Sequence, residues 1–443
     1  MIDKLIIILY LVTIAAVGIA ESRRTKEASS FFSSSGKKGL FVSVAVLSSG
    51  FIGGGYSVGN AAESYRFGLP YSIALCGFSV GIILFALFVL PKIKISNEIN
   101  TAGELLRSCY GSAAKRFGGF FSFIFCLGIA SAQLSTLRII ISELFEINGN
   151  VGLIIAAAII LIYSTAGGMN AVVKTDGIQF TVLIIGLPLL LFFAIKELGD
   201  PLQLYEIKTA ESINILQFGS LALSFATGEL ITPQLIQRLR LSKTRKILSQ
   251  SLIISAIISA VIFIITGAVG VAANVIFTDV APQNIVVAVA SRLIPKGIKG
   301  VVGASLCAVL ITSADSAINS ASASLSSDIL GKSDIKTIRI INVLTGIISV
   351  FAVIAVPDVM ELLMISYKFW CPVMFSQLLY ALMGKKGSKS LFLIPAAVGM
   401  ASVAIWDIVL KAPCKISSVA VGFTVNVISF IITKRLLRES RSL

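Results

Sequence analysis

Between residues 308 and 322 the chain reads Ala308-Val309-Leu310-Ile311-Thr312-Ser313-Ala314-Asp315-Ser316-Ala317-Ile318-Asn319-Ser320-Ala321-Ser322. On a helix, Thr312, Ser313 and Ser316 fall within about one turn, where their hydroxyl oxygens converge with backbone carbonyls and Asp315 close by. Hard cations take oxygen ligands, and a cage of hydroxyls and carbonyls suits a monovalent ion that must later leave. A serine-rich run is also a common packing face between membrane helices. A carboxylate in its middle argues against that, because it costs at least about 2.5 kcal/mol to insert and needs a partner or a role. Asp176 opens another apolar segment at a depth similar to Asp315, so the two can share a cation; a helix N-terminus would equally account for Asp176 alone. Glu229 lies in Thr227-Gly228-Glu229-Leu230-Ile231-Thr232-Pro233, where a coupling or solute-binding role competes with a structural one.

Other chemistry is absent. The 443 residues contain no histidine, which excludes a Ser-His-Asp triad, an H-E-x-x-H zinc site and an imidazole proton relay. No set of nucleophile, base and orienting group is apparent, so an enzyme is not expected. Cys76, Cys109, Cys126, Cys307, Cys371 and Cys414 form no C-x-x-C pair and mostly lie in apolar runs, as small hydrophobes do.

The elements that must position these residues are membrane spans. The chain is 56% hydrophobic and 13% charged, with mean hydropathy +0.94, whereas soluble domains are about 25% charged. Thirteen apolar segments are expected, at about 5–20, 40–60, 71–91, 119–145, 151–165, 176–195, 214–232, 247–272, 300–329, 340–356, 359–383, 391–410 and 416–433. With the N-terminus outside and the C-terminus inside, the inner connections carry 26 of the 37 Lys and Arg and the outer ones 9, as basic residues prefer the cytoplasmic side. The formal charge of +15 is thus explained by topology, and no nucleic-acid partner is expected. Gly18-Ile19-Ala20 resembles a cleavage site, but Arg23, Arg24 and Lys26 favour a retained first span. In the connection 273–299, an amphipathic stretch from Pro282 to Leu293 predicts a short surface helix, a candidate external lid.

Two segments contain interruptions. The second reads Phe51-Ile52-Gly53-Gly54-Gly55-Tyr56, and the seventh holds Glu229 between Gly228 and Pro233. Such residues weaken a helix by roughly 1–3 kcal/mol each, and unwound backbone is tolerated at membrane depth only inside protein or along a cavity. Close helix packing would also use glycines. Breaks five segments apart, however, are what two inverted five-helix repeats would give, with solute held between the breaks. The expected organisation is one transport domain over 1–443: a first helix at 5–20, repeat one at about 40–195, repeat two at about 214–383, and two closing helices at 391–433.

Three stretches resemble the sodium:solute symporter family. The run Tyr163-Ser164-Thr165-Ala166-Gly167-Gly168-Met169-Asn170-Ala171-Val172-Val173-Lys174-Thr175-Asp176-Gly177-Ile178-Gln179 is similar to its signature, Thr312-Ser313-Ala314-Asp315-Ser316 with Asn319 to its ion-site helix, and Gln237-Arg238 with the basic loop after it to the segment following its sixth core helix. The resemblance implies an all-α integral membrane protein with a five-plus-five, leucine-transporter-like core and sodium-driven uptake by alternating access. It also implies a main sodium site from the hydroxyls of Thr312 and Ser313 and the carbonyls of Val309, Ser43 and Val46. A second ion position would use Asp176, Ser316 and Asp315. Asp315 stands where some members have a hydroxyl, which leaves ion stoichiometry open. Phe51 to Tyr56, with Asn60-Ala61-Ala62-Glu63-Ser64-Tyr65, looks most like the choline-transporter branch. A cation cage wants tryptophan, and Trp370 and Trp406 lie on neither broken segment.

The expected function is sodium-coupled import of a small polar organic solute across the cell membrane. Solute would bind between Ser48, Ser49 and Phe51, the fourth segment near Ser131 and Gln133, and Glu229 and Thr232, and sodium would favour the outward-open state. A monomer in the lipid bilayer is the expected working form. The alternatives are a proton-coupled permease using Asp315 or Glu229, and a solute sensor or channel of the same fold.

Overall fold

The computed structural model describes residues 1–22, 38–94, 99–202, 204, 212–332, 334–356 and 359–442. Arg23, Arg24 and Lys26 lie outside them. Among the described residues the structure is helical, with a single isolated bridge between Lys38 and Ser242.

The helices are α1 Ile2–Ser22, α2 Leu40–Phe51, α3 Gly55–Phe67, α4 Leu69–Lys92, α5 Ala102–Tyr110 and α6 Ser112–Phe145. A helical run from Gly149 to Leu198 has two arms, α7 Gly149–Ile162 and α8 Ala171–Leu198. Next come α9 Ile215–Gly228, α10 Pro233–Arg238, α11 Arg245–Ile276, α12 Ile298–Ile329, α13 Ile335–Ala355, α14 Val359–Leu382, α15 Lys389–Val409 and α16 Ser418–Ser442. The arms α7 and α8 run in opposite directions. Gly152 lies against Ser142 at the end of α6, the Ser164 carbonyl reaches Asn342, and Gly186 lies against Ser305, beside Gly303, which touches Leu144.

Among the described residues ten helices are long and apolar enough to cross a membrane, and the pair α2–α3, bent by 63°, makes an eleventh. The expected thirteen is reached only by counting the shorter apolar helices α7 and α9. The seventh span is corrected in one respect: the chain beyond Thr232 is not an inner loop. Thr232 caps α10 by accepting from the Leu235 amide at 3.1 Å, a contact worth about 1 kcal/mol. That helix is buried as far as Arg238, so one basic residue assigned to a loop by charge counting lies in the core.

α12 is the central post. It is buried along almost its whole length and packs against α6, α8 and α1. Its small residues allow this, because close approach of helices needs short side chains. One end of the bundle is tied by Asp3, which accepts from the Gly297 and Gly300 amides at 2.6 and 2.9 Å, and by Lys4 with Glu146 at 3.1 Å. At the opposite end Thr101 donates to Asp328 at 2.6 Å, Arg240 hydrogen-bonds Asn100, and Lys94 N donates to the Leu382 carbonyl at 2.8 Å. There Lys434 of α16 stacks on Tyr380, so α1 begins and α16 finishes at opposite ends.

The stretch 282–293 does form short helical turns. Its apolar residues Ile285, Val286, Val289 and Ala290 are buried while Gln283 and Arg292 are exposed, so it lies at the surface with its apolar side taken up by α3 and α8. Cys76, Cys109, Cys126, Cys307, Cys371 and Cys414 are free thiols.

Candidate functional site

The two interruptions face each other across the bundle, and each is closed by a side chain from a different helix. At the first, the helix ends at Phe51, Ile52 N still donates to Ser48 O at 3.0 Å, and Gly54 N is left without a helical acceptor. Gln133 Oε1 on α6 accepts from it at 2.7 Å. At the second, the Ile231 carbonyl accepts from Trp370 Nε1 on α14 at 3.2 Å. Freed backbone groups at membrane depth must find such partners. Trp370, without a role in the sequence reading, thus serves the second break from another helix. Glycine at 54 is a matter of space: a Cβ there would stand 2.2 Å from Leu310 Cδ2 and 2.7 Å from Gln133 Oε1.

Between the breaks lies a cavity of about 50 Å³. Phe51 and Tyr56 come from the first break, Glu229 and Thr232 from the second, Gln133 and Phe125 from α6, Tyr367 from α14, and Ser313, Ser316 and Arg238 form the floor. The Tyr367 hydroxyl donates to Glu229 Oε1 at 2.7 Å and lies 2.9 Å from the Tyr56 hydroxyl. Phe125 packs on Tyr367 and on Trp370, with ring centroids 6.2 and 5.2 Å apart, and Phe51 meets Phe78 edge-on at 5.2 Å. The wall is therefore aromatic with one carboxylate in it, a combination that attracts positive charge. One to two turns along α3 and α6, toward the Asp3 end, a second cavity of about 330 Å³ is lined by Val58, Glu63, Arg66, Thr136 and Gln283.

Four residues expected at the solute site, Phe51, Gln133, Glu229 and Thr232, line the cavity; Ser48, Ser49 and Ser131 do not. Ser131 instead donates to Leu127 O within α6 at 2.7 Å, and Ser48 is fully buried with no partner for its hydroxyl. Sequence reasoning missed Tyr56, Phe125, Tyr367 and Arg238 as cavity residues. Tyr56 was within reach, being the residue next to the three glycines. Tyr367 and Phe125 carry no local mark that separates them from other apolar residues of their helices.

Beside the cavity, Thr312 meets Asp176 and Ser313 meets Gly53, while Ser43 is held farther back on α2. Thr312 Oγ1 donates to Asp176 Oδ1 at 2.6 Å. Ser313 Oγ is buried, lies 3.0 Å from where a Cβ on Gly53 would be, and has no hydrogen-bond partner. Val46 O accepts from Ser49 Oγ at 3.2 Å, and Ser43 Oγ lies 2.9 Å from Ser242 Oγ. A hydroxyl oxygen that gives its proton to a carboxylate keeps lone pairs for a cation, so Thr312 can serve both. Val309 and Asp315 are fully buried on the same helix. Asp176 and Ser316 are brought together, with the Arg238 guanidinium between them: Nη2 donates to Ser316 Oγ at 2.8 Å and to Asp176 Oδ2 at 3.4 Å. Among the described residues no three Cys, Asp or Glu gather as a metal cluster, so cation chemistry here rests on hydroxyls, carbonyls and single carboxylates. Lys368 pairs with Asp407 at 2.7 Å, tying α14 to α15.

A sequence model of the sodium:solute symporter family matches residues 31–390. The chain belongs to that family. Human high affinity choline transporter 1 is 30% identical over 202 residues, covering 43% of this chain and 34% of that protein. The Drosophila melanogaster high-affinity choline transporter 1 is 24% identical over 398 residues, covering 81% and 63%. Sodium/myo-inositol cotransporter 2 of Bos taurus is 25% identical over 208 residues, 44% of this chain and 30% of that protein. The chain thus spans about a third to under two thirds of the length of these relatives. Among solved structures, a substrate-bound, outward-open Na+-coupled sialic acid symporter superposes with TM-score 0.83 at 20% identity, covering 98% of both chains. Mhp1, a nucleobase-cation-symport-1 family transporter in a closed conformation, follows with TM-score 0.64 at 15% identity, covering 91% of this chain and 94% of that one. The fold is therefore the leucine-transporter-like one, and this is a multi-pass membrane protein of a transporter family.

Proposed function

We propose that this protein is a sodium-coupled symporter importing a small organic solute by alternating access, with the Asp3 end of the bundle outside the cell membrane and α16 ending inside. The observation that carries the reading is that one cavity is shared by both broken spans and by Ser313 of the hydroxyl-bearing helix. Ser43, eight residues before the end of α2 and so about 12 Å along it, is out of reach of an ion held by Thr312 and Ser313. Such an ion would fasten α12 to the first break, which Ser313 meets at Gly53. Binding there favours whichever arrangement holds the two helices together. A cavity of about 50 Å³ holds a few waters. Solute therefore enters only after the breaks separate, which is what access from alternate sides requires.

The wall selects the solute. Glu229 with the rings of Phe51, Tyr56, Phe125 and Tyr367 fits a small organic cation or zwitterion with its positive end toward the carboxylate, and kinship with choline transporters points the same way. The test is uptake of labelled quaternary amines, betaines and amino acids into proteoliposomes under an imposed sodium gradient. Uptake that ignores sodium and follows only a proton gradient refutes sodium coupling. Uptake confined to neutral polyols or anions refutes the assigned solute class.

A further inference from the structure

The last two helices, α15 and α16, form a groove that transport of a solute does not use. They approach most closely at mid-helix and beyond, toward the Asp3 end: a Cβ on Gly399 would stand 3.2 Å from Asn426 Cβ, and one on Gly422 2.5 Å from Val403 Cγ2. In the other direction they part, leaving a groove of about 590 Å³ lined by Ser390, Ile394 and Val398 on α15 and by residues from Val425 to Leu437 on α16. At 1.5 Å per residue, that stretch of α16 is about 18 Å long, close to the depth of one leaflet in a hydrocarbon core about 30 Å thick. Ser390 lies in the first turn of α15. The groove therefore opens at the membrane boundary and closes near the bilayer centre, and apart from Ser390, Ser429 and Thr433 its lining is aliphatic.

Positive charge gathers at the open end. Lys385, Lys386 and Lys389 lead into α15, Lys434, Arg435 and Arg438 close α16, and Glu439 is the one carboxylate within 383–389 and 434–439. Lys385 and Lys434 lie over the Tyr380 ring, 5.6 and 5.2 Å from its centroid, and Lys386 Nζ donates to Ser108 O at 2.9 Å. Lys389 and Arg435 are exposed and flank the groove. Lys389 immediately precedes Ser390, while Arg435 follows Ile432 by three residues and Ile428 by seven, which places it on the same edge of the helix. Basic side chains at the mouth of a pocket between helices recognise anionic headgroups, and their stems can cover apolar surface while the charges stay in water. A free phosphate would leave the apolar groove unused, and a lipid with a neutral headgroup would leave the cations unused. An anionic lipid uses both.

We propose that this groove binds one anionic phospholipid from the leaflet at the α16 end, with an acyl chain along α15 and α16 and its phosphate between Lys389 and Arg435. The lipid braces the pair of helices that holds α14, where Ser376 N donates to Asn426 Oδ1 at 3.4 Å and Gln377 Nε2 to Phe392 O at 3.1 Å. Native mass spectrometry of the detergent-purified full-length protein, without sodium or solute, compares bound dioleoyl phosphatidylglycerol with dioleoyl phosphatidylcholine. One phosphatidylglycerol is expected to bind about tenfold more tightly than phosphatidylcholine. Lys389→Gln with Arg435→Gln is expected to erase that preference, and Lys332→Gln with Lys336→Gln, an equal loss of charge at the start of α13, to keep it. Val398→Phe, a change at a half-exposed position of the groove wall, is expected to weaken binding of both lipids. Equal binding of the two lipids to native protein overturns the inference, even if no variant folds. It is also overturned if the Lys332 and Lys336 changes abolish the preference as fully as those at Lys389 and Arg435, if Val398→Phe binds phosphatidylglycerol as native protein does, or if inorganic phosphate alone raises the melting temperature as much as phosphatidylglycerol.

Discussion

Ser313→Ala is expected to remove about half of the stabilisation that sodium gives. The Ser313 hydroxyl is buried beside Gly53 and lines the cavity. That cavity holds a few waters, so without sodium the hydroxyl is solvated and its loss changes stability by less than about 1 kcal/mol. Shifts run at about 2–4 °C per kcal/mol for 150–250 residues and less for a longer chain, so melting without sodium moves by no more than about 2 °C. With sodium the loss is larger. An ion bound only by the folded state stabilises by RT ln(1 + [Na+]/Kd), about 2.7 kcal/mol at a hundredfold excess over Kd. Loss of one ligand that weakens binding tenfold removes about 1.4 kcal/mol of this. The assay is thermal unfolding of detergent-purified protein in sodium and in N-methylglucamine at equal ionic strength. A Ser313→Ala protein that keeps the full sodium-induced rise would refute the assignment of this hydroxyl to the ion.

Three further outcomes are expected. Thr312→Ala removes the 2.6 Å bond to Asp176 and, unlike Ser313→Ala, lowers stability in both media, by roughly 1.5–3 kcal/mol as for other hydrogen bonds to charged groups; Thr312→Ser should restore most of it in the same melts. Tyr367→Phe removes the hydroxyl between Glu229 and Tyr56 and should raise the half-saturating solute concentration by about tenfold or more, with Glu229→Gln exceeding it for a cationic solute; unchanged uptake kinetics in both would remove Glu229 from the site. Gly54→Ala forces a methyl against Leu310, an overpacking cost of roughly 1–3 kcal/mol, and combining it with Leu310→Ala should be less damaging than the sum of the single changes; strict additivity in urea or thermal unfolding would argue against that contact.

Much of the architecture was written locally. Lipid leaves a backbone no choice but to satisfy itself, so runs of apolar residues become helices wherever they are long enough. Gly53-Gly54-Gly55 and the Gly228–Pro233 stretch marked where that rule would be suspended, because they are poor at holding a helix. The hydroxyls of Thr312, Ser313 and Ser316 were legible as one cluster because helical spacing alone places them together, and Asp176 was found from its depth in the membrane. Charge counting failed at Arg238 for an equally physical reason: it assigns every basic residue outside an apolar run to the water, whereas a short capped helix can carry one back inside if a carboxylate waits there.

The remaining decisions belong to pairs far apart in the chain. Whether Tyr367 reaches Glu229, Trp370 reaches Ile231, Gln133 reaches Gly54, or Arg238 reaches Asp176 depends on how α14, α6, α10 and α8 are set around α12, and no periodicity within any one of them encodes that. Apolar pattern fixes which residues leave water and where the helix must fail. Only close packing of the whole bundle, in which a glycine at position 54 decides how near two elements come, determines which buried polar groups find one another.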